Sequence, residues 1–301
     1  MAHPQIATYA RLADGNAKAL RAIAGQNTLI TRSIHDMGYD PVRDEIYVIQ
    51  TRLPAITTFQ GDAGGDVAPI RTIMGPKTQL AATSGRLALD SVHHEIFIPG
   101  GNKVLVYPQE ADGDVAPLRV LEGPDTQLGA AALTVDPVHN LLIVSGQTHG
   151  WGRLGISPAD LIINGASGRR GSLEGGSVGQ IAIFNRTASG NTKPLRVITG
   201  SKTLLSSTQT IMTTYPPRGW ILGAVWGSDY GETGAPFSER AMVGVWSIYD
   251  NGDVPPRWTI GGPNGILRQA RGVAVDPKHK TVLVSDKYIN GVLSFEFPEL
   301  F

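Results

Sequence analysis

GDVAPIRTIMGPKTQL (residues 65–80) and GDVAPLRVLEGPDTQL (residues 113–128) are one phrase written twice, 48 residues apart and identical at 11 of 16 positions. Three weaker copies stand elsewhere: NAKALRAIAGQNTL from Asn16, NTKPLRVITGSKTL from Asn191 and DVPPRWTIGGPNGI from Asp253. Each places an Arg shortly after Pro or Ala, then an alternating apolar run, then Gly. The five arginines are Arg21, Arg71, Arg119, Arg196 and Arg257, spaced 50, 48, 77 and 61 residues apart, so the later units carry insertions.

A second phrase follows each copy: MGYDPVRDEIYVI, LALDSVHHEIFIP, LTVDPVHNLLIVS, MTTYPPRGWILGA and VAVDPKHKTVLVS. An apolar strand reaches Asp (Tyr215 in the fourth copy), turns, and returns as a Val/Ile-rich strand. Asp-Pro suits this turn because the carboxylate accepts backbone N–H bonds and Pro fixes φ. A third strand then reads AITTF, VLVYP, IAIFN, VGVWS or GVLSF. Four short strands per unit of about 50 residues is the pattern of a β-propeller, whose sheets bury their faces only by packing radially on one another.

The expected fold is therefore all-β, a single propeller domain over residues 1–301. Innermost strands centre on Met37, Leu87, Leu133, Met212 and Val273, which gives five four-stranded blades. GVLSFEF at the C-terminus supplies the third strand of the last blade and ALRAIAG at the N-terminus its fourth, so that both termini close the ring and remove the open edge. IATYARLADG also reads as a third strand, which keeps a sixth, incomplete blade as the alternative.

Composition narrows the functional classes. The 26 basic and 26 acidic residues balance, so no global field draws the chain to nucleic acid or an anionic membrane. The absence of Cys excludes disulfides, zinc–thiolate sites and cysteine nucleophiles. The start has no apolar run long enough for a signal peptide or a membrane span, which reads as a soluble cytoplasmic protein or the mature form of a secreted one.

The last repeat, GVAVDPKHKTVLVSDKYINGVLSF (Gly272 to Phe295), resembles an NHL-type propeller repeat through Gly-x-Ala-x-Asp, a strand ending at Asp286, Asn290 and the aromatic Phe295. Blade four departs most from the pattern. The resemblance implies the propeller and a wide functional range: protein- and RNA-binding modules, sensor domains, and relatives with lactonase, lyase or synthase activity. Lactonase-type relatives hold a divalent ion such as calcium at the axis with several oxygen donors. Here the axial set offers one carboxylate, Asp36, and no cofactor is expected.

The repeats serve as their own control: residues present in every copy are scaffold, and residues that break the pattern are candidates for function. The five arginines are scaffold by this test, and His93, His139 and His279 are turn residues. His35 and His149 stand apart. Two insertions, 146–180 and 226–242, fall in second-to-third-strand connections of neighbouring blades, and long irregular loops on one rim are usually functional.

Residues leading into the innermost strands face the axis. Lined up by repeat, they offer His35, Asp36, Arg86, Gln209 and Arg271. An imidazole beside a carboxylate is a general-base pattern, and an Arg pair grips a carboxylate or phosphate. Around them the insertions add Trp151, Arg153, Trp226, Asp229, Tyr230, Glu232 and Arg240, and the last blade adds Asp286 and Tyr288, a mixed aromatic and cationic wall. The primary expectation is a binding propeller that takes a small polar or anionic ligand, or a partner segment, on this face. The alternative is a lactonase-like hydrolase, lyase or cyclase in the same place, with His35, Asp36 and His149 as its catalytic set under the 146–180 lid.

Overall fold

A computed structural model describes residues 4–32, 34–82, 86–147, 179–205, 210–225, 241–262 and 264–301. The chain starts with a two-stranded antiparallel sheet, β1 (Ile6–Thr8) and β2 (Arg21–Ile23). Blade 1 then comprises β3 (Ile34–Asp40), β4 (Glu45–Gln50), β5 (Ala55–Gln60) and β6 (Arg71–Met74). Blade 2 comprises β7 (Ala88–Asp90), β8 (Glu95–Pro99), β9 (Lys103–Pro108) and β10 (Arg119–Glu122). Blade 3 comprises β11 (Ala130–Asp136), β12 (Leu141–Gln147), β13 (Gly179–Asn185) and β14 (Arg196–Thr199). Blade 4 comprises β15 (Thr210–Tyr215), β16 (Trp220–Val225), β17 (Met242–Ser247) and β18 (Trp258–Gly261). Blade 5 is β19 (Ala270–Asp276), β20 (Thr281–Asp286) and β21 (Gly291–Glu296). The all-β propeller and the five expected innermost strands are all present, and every pairing within a blade is antiparallel.

The turn between the first and second strands works as its residues dictate. Asp40 Oδ1 accepts from the Val42 amide at 2.8 Å, and Asp90, Asp136 and Asp276 accept from the His93, His139 and His279 amides at 3.0, 3.0 and 3.2 Å. Those histidines also place Nδ1 2.8, 2.8 and 2.6 Å from the same carboxylates, which accounts for them as turn residues. In blade 4, Tyr215 stands in the Asp position and packs its ring 5.0 Å from that of the C-terminal Phe301.

Because both faces of a central strand are covered, burial is concentrated between blades. Ile56 and Ile73 of blade 1 meet Ile96, Ile98 and Tyr107 of blade 2. Ile143, Ile181 and Ile198 of blade 3 meet Met212 and Trp246 of blade 4. At the outer rim the repeated phrase is a clasp: Ile23, Ile73, Leu121 and Ile198 each form a parallel bridge to a glycine of the next blade, Gly65, Gly113, Gly190 and Gly252. The residue after that glycine caps the turn of the preceding blade; Asp66, Asp114, Asn191 and Asp253 each accept an amide at 2.7 Å. A glycine must precede the capped turn, since a Cβ on Gly75 (φ 137°) would lie 2.4 Å from the Asp114 carboxyl. This is why the phrase repeats. The five arginines are likewise braces: Arg71 and Arg119 pair with Glu45 and Glu95, Arg21 and Arg196 donate to the Gly61 and Ile248 carbonyls, and Arg257 pairs with Asp250.

The termini correct one expectation. Residues 21–23 do not add a fourth strand to the last blade; β2 pairs with β1, and blade 5 ends at β21. The physical reason is that β21 already holds the third-strand position on β20, so the hairpin's own third strand, β1, cannot take that place and carry β2 into the fourth. The first sheet packs instead on blade 1, where Ile6 and Ile23 meet Ile46, Val48 and Phe59.

Candidate functional site

The innermost strands bring His35, Asp36, Arg86 and Arg271 together from blades 1, 2 and 5. How His35 and Arg271 are aimed was not legible in the alternation of the sequence. Pairing slips by one residue between Ile34 and Asp36, and again between Ala270 and Gly272, so His35 and Arg271 are the extra residues of two β-bulges at equivalent positions. Blade 3 repeats the bulge at Ala131, where no functional group is offered. A bulge turns its side chain away from the pleat and is a common way of aiming one.

Asp36 and Arg86 tie the two inner strands together. Asp36 Oδ1 accepts from the Met37 amide at 2.9 Å and Oδ2 from the Leu87 amide of blade 2 at 3.3 Å, while Arg86 Nη1 donates to the His35 carbonyl. Burial raises the Asp36 carboxyl above its ordinary range, and the Arg86 charge and the two amides only partly offset this. Burial likewise works against the Arg86 charge, with Asp36 opposing that effect. The His35 imidazole is pushed down, first by burial and then by the charges of Arg86 and Arg271. At neutral pH the cluster thus holds two guanidiniums and the Asp36 carboxyl beside an uncharged imidazole, a set that can bind an anion through the guanidiniums and accept one proton at His35. Among the described contacts no hydrogen bond joins the His35 ring to the Asp36 carboxylate.

Below the cluster the inner strands leave a hollow of about 200 Å³ lined by Gly38, Leu87, Leu133 and Met212 among others. A Cβ on Gly38 would lie 2.8 Å from the ends of the Leu87 and Leu89 side chains, so a larger residue there would press on the lining of the hollow. Between blades 3 and 4, Ser145 Oγ donates to the Thr210 carbonyl at 2.5 Å.

Asp286 has a different use. Its Oδ2 accepts from the Arg268 and Gln269 amides at 2.7 and 2.8 Å, and its Oδ1 from the Tyr288 and Ile289 amides at 2.9 and 3.1 Å. Burial alone would raise this carboxyl, and the four amides hold it below its ordinary range. It fastens the loop into the inner strand, as Gln50 does in blade 1 by accepting from the Thr31 amide at 2.6 Å. Tyr288 is exposed on the same turn. His149, Trp151, Arg153, Gln209, Trp226, Asp229, Tyr230, Glu232 and Arg240 lie outside the described residues. Among the described residues no three His, Asp or Glu side chains gather as metal ligands, and no helix is long and apolar enough to cross a membrane.

No protein-family model matches the chain, and no curated protein sequence matches it. Solved structures do. A chain in the crystal structure of the Mitotic Checkpoint Complex is similar over 93% of this chain and 67% of its own length, at 13% identity and a TM-score of 0.54. The Neurospora crassa Pan2 WD40 domain is similar over 88% of this chain and 63% of its own length, at 11% identity and a TM-score of 0.49. At such identities the likeness shows the β-propeller fold alone. The chain spans about two thirds of the length of these two neighbours.

Proposed function

We propose that this propeller is a binding protein whose axial cluster takes a small anionic ligand, a carboxylate or a phosphate ester. The observation that carries the reading is the convergence of Arg86 and Arg271 on the uncharged His35 from three separate blades. Both guanidiniums lie close enough to His35 for their charges to act on its ring, and a planar, always-charged guanidinium is suited to a carboxylate or phosphate. The NHL-type likeness of the last blade belongs to the same reading, since such propellers include sensor and binding modules.

The lowered His35 favours proton transfer at the same place as a second reading, with His35 accepting a proton from bound substrate. One experiment separates the two. The protein is screened by thermal shift against carboxylates, phosphate esters, lactones and sugars, and each stabilising compound is then followed by NMR for turnover. A ligand at 100 times its Kd stabilises by about 2.7 kcal/mol. Arg271→Gln and Arg86→Gln should each abolish the shift. Unaltered binding in both variants overturns the axial site, and conversion of the bound compound, lost in His35→Gln, replaces the binding reading with the enzymatic one.

A further inference from the structure

The five blades need five third strands, and the chain has six. Strand register shows that β1 and β21 are copies of one position. On β20, Ser285, Val284 and Leu283 pair with Val292, Leu293 and Ser294. In blade 1 the equivalent partners of Ile49, Val48 and Tyr47 are Ile56, Thr57 and Thr58, which in turn pair with Ile73, Thr72 and Arg71. Ile6, Ala7 and Thr8 pair with Ile23, Ala22 and Arg21 in that same register. Thr8 is thus the counterpart of Ser294, and Tyr9 the counterpart of Phe295.

Burial shows that neither copy completes the seam between blades 5 and 1. The aromatic at the Tyr9 position is at most 1% exposed in blades 1 to 4 (Phe59, Tyr107, Phe184, Trp246), whereas Tyr9 is 52% exposed. Ile56, Val104, Ile181 and Val243 are fully buried, but their counterpart Val292 is 68% exposed. On the blade 1 side Met37 is 47% exposed where Leu87, Leu133 and Met212 are 7% or less. Two strand edges face this seam unpaired among the described residues, the outer edge of β21 and the free edge of β1.

The β1–β2 pair already stands against blade 1 as β5–β6 stands against blade 2. Ile6 and Ile23 pack on Ile46 and Val48, Ile23 bridges Gly65, and Asp66 caps the Asn27 amide. It is the outer half of a blade without its inner half, and β19–β20 is an inner half. Arg11, just past β1, lies near enough to the far end of β19 for its charge to add to the His279 hydrogen bond in lowering Asp276.

We propose that β1 and β21 exchange on the outer edge of β20, and that with β1 in place the ring closes as five complete four-stranded blades. This inference is independent of any ligand. The exchange leaves no unpaired edge at the seam, brings blade 5 over Met37, and releases Val292, which is exposed already. The arrangement seen is held by the C-terminal residues, with Leu300 fully buried and Phe297 packed edge-on to Trp258 at 6.0 Å.

The cysteine-free chain allows a direct test. Thr8→Cys with Leu283→Cys reports β1 on β20, and Leu283→Cys with Ser294→Cys reports β21, since directly opposed residues are within disulfide reach. Each variant is equilibrated in a thiol–disulfide buffer and mapped by non-reducing mass spectrometry. Both disulfides are expected within single chains. Adding Phe295→Ala should raise the Thr8–Leu283 bond about tenfold, since it removes an aromatic packed beneath β21. Adding Tyr9→Ala should suppress the Thr8–Leu283 bond and leave the other unchanged. A Leu283–Ser294 bond alone, with none to Thr8 even in the Phe295→Ala background, overturns the exchange. A Thr8–Leu283 bond found only between two chains overturns closure within one molecule and makes a second copy the partner of β1.

Discussion

Glu95→Gln should be among the most damaging single substitutions outside the axial cluster. Glu95 sits at the base of blade 2, where Arg119 grips it with two bonds of 2.6 and 2.9 Å and Arg186 reaches it from blade 3. Arg186 is held in turn by Asn140 Oδ1 at 2.9 Å and lies 3.5 Å from Asp90. The side chains of Glu95 and Arg186 are each only 10% exposed. Neutralising the carboxylate leaves two guanidiniums in a half-closed crevice with one charge fewer between them. Breaking a buried pair costs about 3–5 kcal/mol, and the residual exposure places this one near about 3. That corresponds to a fall in Tm of roughly 5 °C for a chain of this size.

Urea unfolding at neutral pH measures the loss, with Arg257→Gln as control. Arg257 is 44% exposed in its pair with Asp250, so its loss should stay within about 1 kcal/mol. The pH dependence gives a second check. Burial would raise the Glu95 carboxyl, but the hydrogen bond and charge of Arg119, then Arg186, bring it below its ordinary value of 4.5. A depressed acid stabilises the fold above its unfolded pKa and loses that contribution as pH falls through the folded one. The gap between wild type and Glu95→Gln should therefore be full above pH 4.5 and narrow below it. A loss under about 1 kcal/mol at neutral pH, equal to that of the control, would refute the argument that this pair locks blades 2 and 3.

Two further substitutions probe the site and its support. Gly146→Ala puts a Cβ 1.8 Å from the Gly129 carbonyl oxygen, and since backbone cannot step aside the cost should exceed the about 1–3 kcal/mol typical of overpacking, measurable by urea midpoint. Asp36→Asn tests the axial cluster by pH: because the Asp36 carboxyl is raised, its contribution is present below pH 3.8 and is lost as pH rises through the folded value. The variant should match wild type near pH 3 and be the more stable of the two at neutral pH, and the reverse order at neutral pH would mean that Arg86 outweighs burial.

The repeat laid out the blades because its signals are local. Strand alternation, an Asp that caps its own turn and a glycine forced by a neighbouring carboxylate act within a few residues and recur in each unit. Met37, Leu87, Leu133, Met212 and Val273 could thus be placed on innermost strands, and His93, His139 and His279 assigned to turns, before any fold was known. The candidate site was legible as a set, with His35, Asp36, Arg86 and Arg271 aligned by repeat. Its geometry was not, because whether a residue is bulged depends on the register of two strands rather than on either alone. For the same reason Asp286 looked available in sequence and is occupied in the fold, where two amides of the loop into β19 and two of its own turn converge on one carboxylate.

The termini mark the same boundary. By itself the sequence showed that IATYARLADG (residues 6–15) and GVLSFEF (residues 291–297) both read as third strands, since that follows from alternation and spacing. Which of them pairs with β20 is a competition between two segments nearly 300 residues apart. Only the tertiary structure decides it, because the outcome rests on what Val292, Phe295 and Leu300 bury on one side and what Ile6 and Ile23 bury on the other.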